Sequence, residues 1–278
     1  MNTYSDFPSF DPEFEELNWF ILKLVDEYKN GKLTSWDELD ERVDSFYTSE
    51  RMDSIEAKVP GWKKMASYSD GITLSHVTCV FLGMFMLSEF KSLSEEQQQI
   101  AKWIVLLHDI DKIHIQGKKD PMHAFRSGAV AANILPKIGF PVTEKYDLLI
   151  HSWSEFTLNA FTMDEDNSVP KPDNHKLPEI LEGIEQLFGE NTPACLVVKV
   201  ALLHISLNID VHYPTPSPLT ENETRQLISP DLWPLLKVMM LSDTEGWSLF
   251  DSEIREQRIR DAHAAFDRVE KLISYHVD

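Results

Sequence analysis

Apolar positions along this chain recur mostly at three- and four-residue spacing, the period of a helix that buries one face. Phe14 to Tyr28 (FEELNWFILKLVDEY) carries such a stripe and runs out near Gly31. Ser35 followed by Glu38 has capping-box spacing and predicts a second helix through Phe46. From Gly71 onward the stripes widen into nearly continuous apolar runs. They predict helices over Leu74 to Phe90, Glu95 to Leu107 (capped by Ser94), Met122 to Ile138 and Thr143 to Trp153. Asp164 to Pro178 (DEDNSVPKPDNHKLP) breaks the pattern: polar, proline-bearing and aperiodic, it predicts a long surface loop or insertion. Helical spacing resumes over Leu177 to Phe188, Ala194 to Asn208, about Ser229 to Phe250, and Ser252 to Tyr275. Sustained period-two alternation is missing, so no sizeable sheet is expected. The chain reads as an all-α domain over 66–278, preceded by a helical extension over 1–65.

Composition sharpens this picture. With 278 residues and 42% hydrophobic side chains, the chain can bury a substantial core, which excludes wholesale disorder. Its 46 acidic against 26 basic residues give a net charge of −20. Residues 1–50 alone hold 13 Asp/Glu and 4 Lys/Arg, read as the solvated outer faces of the first helices. Such an excess argues against long nucleic acids and anionic membranes, which are bound through Lys and Arg. A small anionic substrate is still compatible, because a local positive site outweighs distant charge screened by salt. Ile110 to Val130 is the place for one: Lys112, Lys118, Lys119 and Arg126 face only Asp111 and Asp120. The N-terminus has neither a basic segment nor an apolar core, and the longest apolar run, Val77 to Leu87, is too short to span a bilayer. Cys79 and Cys195 both lie in apolar runs and are expected to be buried and reduced. Together these features predict a cytoplasmic protein.

The histidines carry the chemistry. His76, His108 with Asp109, His123, His151 and Asp243 each border or interrupt an apolar helical run, where an uncompensated ionisable group is costly. Imidazole nitrogens and carboxylate oxygens converging from several helices suit Zn, Mn or Fe and, less readily, Mg. Adjacent residues on a helix point about 100° apart, so His108 and Asp109 can share one centre only at a helix end or by bridging. A single histidine on an apolar face is ordinarily a core residue. His204 (VALLHISLNI) is therefore assigned to the core or a pocket lining, and His114, His175, His212, His263 and His276 receive no role. The ordered series H…HD…H…H…D is the specific feature.

In that series the chain resembles the HD-domain superfamily of metal-dependent phosphohydrolases. The matching strings are His76 in LSHVTCVFLGM, then LLHDIDK, DPMHAFRSGAVAANIL, LLIHSW and LSDTEGW. They cover residues 71–153 and rejoin at about 235–250, leaving 160–230 as an insertion. The resemblance implies an HD-type helical bundle in which His76, His108, Asp109 and Asp243 hold one divalent ion. It implies that His123 and His151 hold a second, with Asp109 bridging. It further implies hydrolysis of a small phosphate ester, in first place a nucleotide, by attack of a metal-bound hydroxide. Lys112, and with it Arg126, would face the phosphate. Many members carry glycine where this chain has Asp111, which adds a negative charge beside the site. Trp153, Phe156 and Trp247 lie near proposed ligands, either stacking on a base or belonging to the core. Two alternatives stand beside the hydrolase: a di-iron oxygenase on the same framework, and a non-catalytic ligand-binding protein.

Overall fold

The computed structural model describes residues 7–67, 71–113, 120–163, 169–206 and 219–274. The first helices among them are α1 (Phe10–Glu13), α2 (Glu15–Lys29), α3 (Trp36–Phe46), α4 (Ser49–Lys58) and α5 (Trp62–Ser67). Next come α6 (Ile72–Met86), α7 (Ser88–Ser92), α8 (Glu95–Leu107), α9 (His123–Ile134) and α10 (Tyr146–Leu158). The rest are α11 (Leu177–Phe188), α12 (Pro193–Leu203), α13 (Glu221–Leu227), α14 (Trp233–Ser248) and α15 (Ser252–Ser274). A two-stranded antiparallel hairpin, β1 (Phe161–Met163) and β2 (Pro170–Pro172), pairs Phe161 with Pro172. The architecture is all-α. No helix among the described residues is long and apolar enough to cross a membrane.

Sequence character decides which helices lie inside. α6 (ITLSHVTCVFLGMFM) is apolar on every side and is buried without a break from Thr73 to Met84. A helix without a polar face must be surrounded, and α2, α3, α5, α8 and α14 pack around it. α12 (PACLVVKVALL) is buried over its whole length between α8, α9, α11 and α14. By contrast α2 buries only the stripe Leu17, Phe20, Ile21, Leu24 and Val25, and α15 only Ala262, Ala265, Phe266 and Val269. The N-terminal helices join the same core: Phe10 and Phe14 meet Trp103 of α8 edge-on, and the Trp103 indole donates to Pro8 O at 2.8 Å. Each large side chain so buried contributes about 1.5–3 kcal/mol.

The helix ends differ from expectation where a single residue intervenes. Thr143 does not open α10, because its N–H and hydroxyl donate to Leu187 O and Gln186 O at the end of α11. The helix starts at Tyr146 and runs on to Leu158. The predicted span to Phe90 breaks at extended Leu87, and the turn after α9 tightens to a 3-10 helix at Pro136, which lacks an N–H. Ser35 caps α3 as predicted, but Glu38 returns to Thr34 N–H rather than to Ser35. Ser94 and Gln97 form a full capping box on α8. The helices α1, α4, α5 and α13 and the hairpin were not predicted. Cys79 and Cys195 are both buried and form no disulfide, and burial pushes both thiols up, Cys195 to about 11.

α6 and α14 pack closely along their length, and glycine makes this possible. A Cβ on Gly246 would lie 2.7 Å from the His76 ring, and one on Gly83 would lie 2.4 Å from the Glu245 Cβ. Both distances are below real carbon contacts, so the two backbones approach only because these positions lack side chains.

Candidate metal centre

Five core helices or their ends deliver the polar residues. His76 projects from the middle of α6, His108 is the C-cap of α8, and Asp109 follows in the first turn beyond it. His123 begins α9, His204 is the C-cap of α12, and Asp243 comes from α14. The adjacent His108 and Asp109 share one centre because they stand at a helix end, the condition that their spacing set. Gly128 brings α9 against α12, since a Cβ there would meet Leu202 at 2.6 Å, and this places His123 beside His204.

The ligand atoms fall into two groups, each within 4.8 Å: His76, His108 and Asp243 in one, Asp109, His123 and His204 in the other. Asp243 Oδ1 lies 3.0 Å from His76 Nε2 and 3.9 Å from His108 Nε2. In the second group His123 Nε2 faces His204 Nε2 at 3.1 Å. The Asp109 carboxylate spans both. Its Oδ2 is 3.2 Å from His76 Nε2 and 3.4 Å from His108 Nε2, while its Oδ1 is 3.4 Å from His123 Nε2.

Main-chain carbonyls fix the histidine tautomers. Nδ1 of His76 faces Gly246 O at 3.2 Å, that of His108 faces Val105 O at 2.8 Å, that of His123 faces Asp120 O at 2.5 Å, and that of His204 faces Ala201 O at 2.7 Å. A carbonyl only accepts, so each Nδ1 carries the proton. In the neutral ring each Nε2 then presents a lone pair, and all four point inward. This is the usual state of a metal-ligating histidine, with its other nitrogen donating to the main chain. His76 Nε2, His108 Nε2, Asp109 Oδ1 and Asp243 Oδ1 are buried without a hydrogen-bond partner. Orphaned acceptors at this density are costly. The donor set, four imidazoles and two carboxylates, fits a pair of divalent ions.

Electrostatics agree with a preformed ligand set. Burial holds His204 down at about 3, reinforced by His123 and His108, so its ring is neutral at ordinary pH. Burial also lowers His123. For Asp109, burial alone would raise the carboxyl, but Lys112, His108 and His123 outweigh it and hold it well below the usual range. Asp243 is lowered too, against burial, chiefly by His76. His76 goes the other way: burial and Lys112 oppose its charge, yet the carboxylates of Asp109 and Asp243 raise it.

Several expectations need correction. His151 does not reach the centre. It sits exposed on α10, a helix that fully buries only Trp153 and Thr157, and His204 occupies the place assigned to it. The Arg126 guanidinium is engaged by the neighbouring turns. Its Nη1 donates to Asp120 Oδ1 at 3.0 Å, its Nη2 to Asp111 O at 3.0 Å and also to Asp120 Oδ2, and its Nε to Asp111 Oδ2 at 3.3 Å. Asp111 therefore adds no free negative charge beside the site, being paired with Arg126 and with Lys64 at 3.3 Å. Lys118 and Lys119 lie outside the described residues. Trp153 is core: it is buried and donates to Ile180 O at 2.9 Å. Phe156 is partly buried against the core. Lys112 does lie at the centre, its Nζ 2.6 Å from Asp109 Oδ2.

The Arg126 contacts tie the turn after Asp109 to the turn before His123, whose ring is oriented by Asp120 O. Arg126→Met is expected to weaken metal binding at the Asp109–His123–His204 group by about 10–100-fold, the range for lost outer-shell partners. Equilibrium metal titration checks it; unchanged affinity with a raised KM would instead give Arg126 a substrate-facing role.

Compared with family models, curated proteins and solved structures, the chain matches none.

Proposed function

We propose that the chain is a metal-dependent phosphohydrolase of the HD type acting on a small phosphate ester. What supports this most is the convergence of four Nε2 lone pairs and two ionised carboxylates in one buried centre, with every Nδ1 held by a main-chain carbonyl. Divalent ions in the two groups would supply Lewis acidity and lower the pKa of water. The remaining duties belong to the chain's own residues. Asp109 joins the two groups through its two oxygens, and burial keeps bulk water from the histidines. Lys112 brings a positive charge to the edge of the centre, suited to the non-bridging oxygens of a phosphate. No serine or cysteine nucleophile is required: both cysteine thiols are buried and held protonated.

The test is a phosphate-release screen over nucleotides, phosphate monoesters and phosphate diesters, run on metal-loaded and chelator-stripped protein. Release is expected from loaded protein alone and should return on adding back a divalent metal. Oxygen consumption by iron-loaded protein without phosphate release would overturn the hydrolase in favour of an oxygenase.

A further inference from the structure

One stretch of α14 governs the first ligand group. Asp243 Oδ1 lies 3.0 Å from His76 Nε2, Gly246 O faces His76 Nδ1 at 3.2 Å, and the Trp247 indole stacks on the same imidazole at 4.1 Å. The rotation of α14 about its own axis therefore sets one ligand atom and the orientation of a second ligand. Within this stretch stands Glu245, whose side chain is only 2% exposed. It lies at the seam with α6: its Cβ faces Gly83, and its main-chain carbonyl accepts from the Cys79 thiol at 3.5 Å. Arg255 of α15 grips the Glu245 carboxylate with two bonds, Nε to Oε2 at 2.6 Å and Nη2 to Oε1 at 2.8 Å. Residues 249–251 alone separate the two helices, so this fork braces them across a tight corner.

A buried ion pair adds little net stability over an apolar pair of similar volume. What a bidentate guanidinium–carboxylate fork adds is fixed geometry. At about 100° per residue, Gly246 lies between Asp243 and Glu245 around α14, so these two flank the contact with α6 on opposite sides. Holding Glu245 stops α14 from rolling on α6, the motion that would carry Asp243 and the Gly246 carbonyl away from His76. The second group does not depend on that roll: Asp109 follows α8, and His123 and His204 stand at ends of α9 and α12. We infer that Glu245 and Arg255 are positioning residues of the metal centre, a brace that sets the roll of α14 and with it the geometry of the His76–His108–Asp243 group. The inference rests on the two-metal reading of the centre and extends its control to α15.

Calorimetric titration with Mn²⁺ tests it on metal-free wild type, Arg255→Met, Arg255→Lys and the double variant Glu245→Met with Arg255→Met, each also melted thermally. Arg255→Met is expected to weaken one of two metal equivalents by about 10–100-fold, the range for lost outer-shell partners, and to leave the other within about twofold. The weakened ion should be the one that His204→Ala leaves behind, so Arg255→Met in that background should weaken the single remaining ion. Arg255→Lys keeps the charge but loses the fork, and should recover only part of the loss. The double variant is the stricter test. It removes both buried charges together and should melt near wild type, yet lose first-group affinity as Arg255→Met does. Wild-type affinity for both ions in the folded double variant would overturn the brace and leave the two-metal centre standing. An equal fall of both affinities, the mark of general loosening, would overturn it too. Wild type that takes up no Mn²⁺ would overturn the metal centre and the brace together.

Discussion

Asp109→Ala is expected to abolish turnover and to strip metal from both ligand groups at once, a larger effect than any other single substitution. Asp109 is the residue whose oxygens divide between the groups, Oδ2 toward His76 and His108 and Oδ1 toward His123. It is also fully buried, and three positive or protonatable neighbours keep it ionised there. A buried carboxylate is normally a liability that neutralises itself by taking up a proton. Here the fold holds it charged. Asp109→Asn separates charge from shape: it keeps one oxygen and the side-chain volume but loses the negative charge. It should retain the fold and lose most of the metal. Elemental analysis of dialysed protein alongside activity checks both variants; full metal content in Asp109→Ala would show that the carboxylate does not join the groups.

His204→Ala should remove one of two metal equivalents and cut turnover by more than about a hundredfold, the upper end of what even outer-shell partners cost. Among the described residues the second group comprises Asp109, His123 and His204, so losing one of its two imidazoles leaves too few donors. His151→Ala, by contrast, should match the wild type in metal and rate, because its side chain stands in solvent. The two variants together separate the observed geometry from the family-based expectation. Metal loss in His151→Ala with full retention in His204→Ala would reverse the assignment.

Most helices were legible because their apolar spacing is unambiguous, as the fully buried runs of α6 and α12 show. The short helices α4 and α13 escaped because they are brief and polar, held by the side-chain caps of Thr48 and Thr220 rather than by a long apolar face. His76, His108, Asp109, His123 and Asp243 were legible as polar interruptions of apolar helices. His204 was misassigned although a signal existed. ALLH at 201–204 repeats VLLH at 105–108, and each histidine closes an apolar helix by turning Nδ1 back to the carbonyl three residues earlier. LLIH before His151 looks alike, but there the helix continues through SWSEFTL, and Leu148 is 80% exposed. Hydrophobic residues did not mark a buried face in that case. Which of several similar histidines converges on Asp109 depends on helix contacts such as Gly128 on Leu202, which no local pattern encodes. The fate of Arg126 is equally non-local, decided by Asp111 and Asp120 from preceding turns.

The central claim is that this buried histidine–carboxylate cluster is a two-metal centre, and calorimetric titration of metal-free protein with Mn²⁺ tests it most directly. Uptake of two equivalents per chain is expected, falling to one in His204→Ala and with the first group disabled in His108→Ala. Absence of specific uptake, or uptake indifferent to both substitutions, would contradict it.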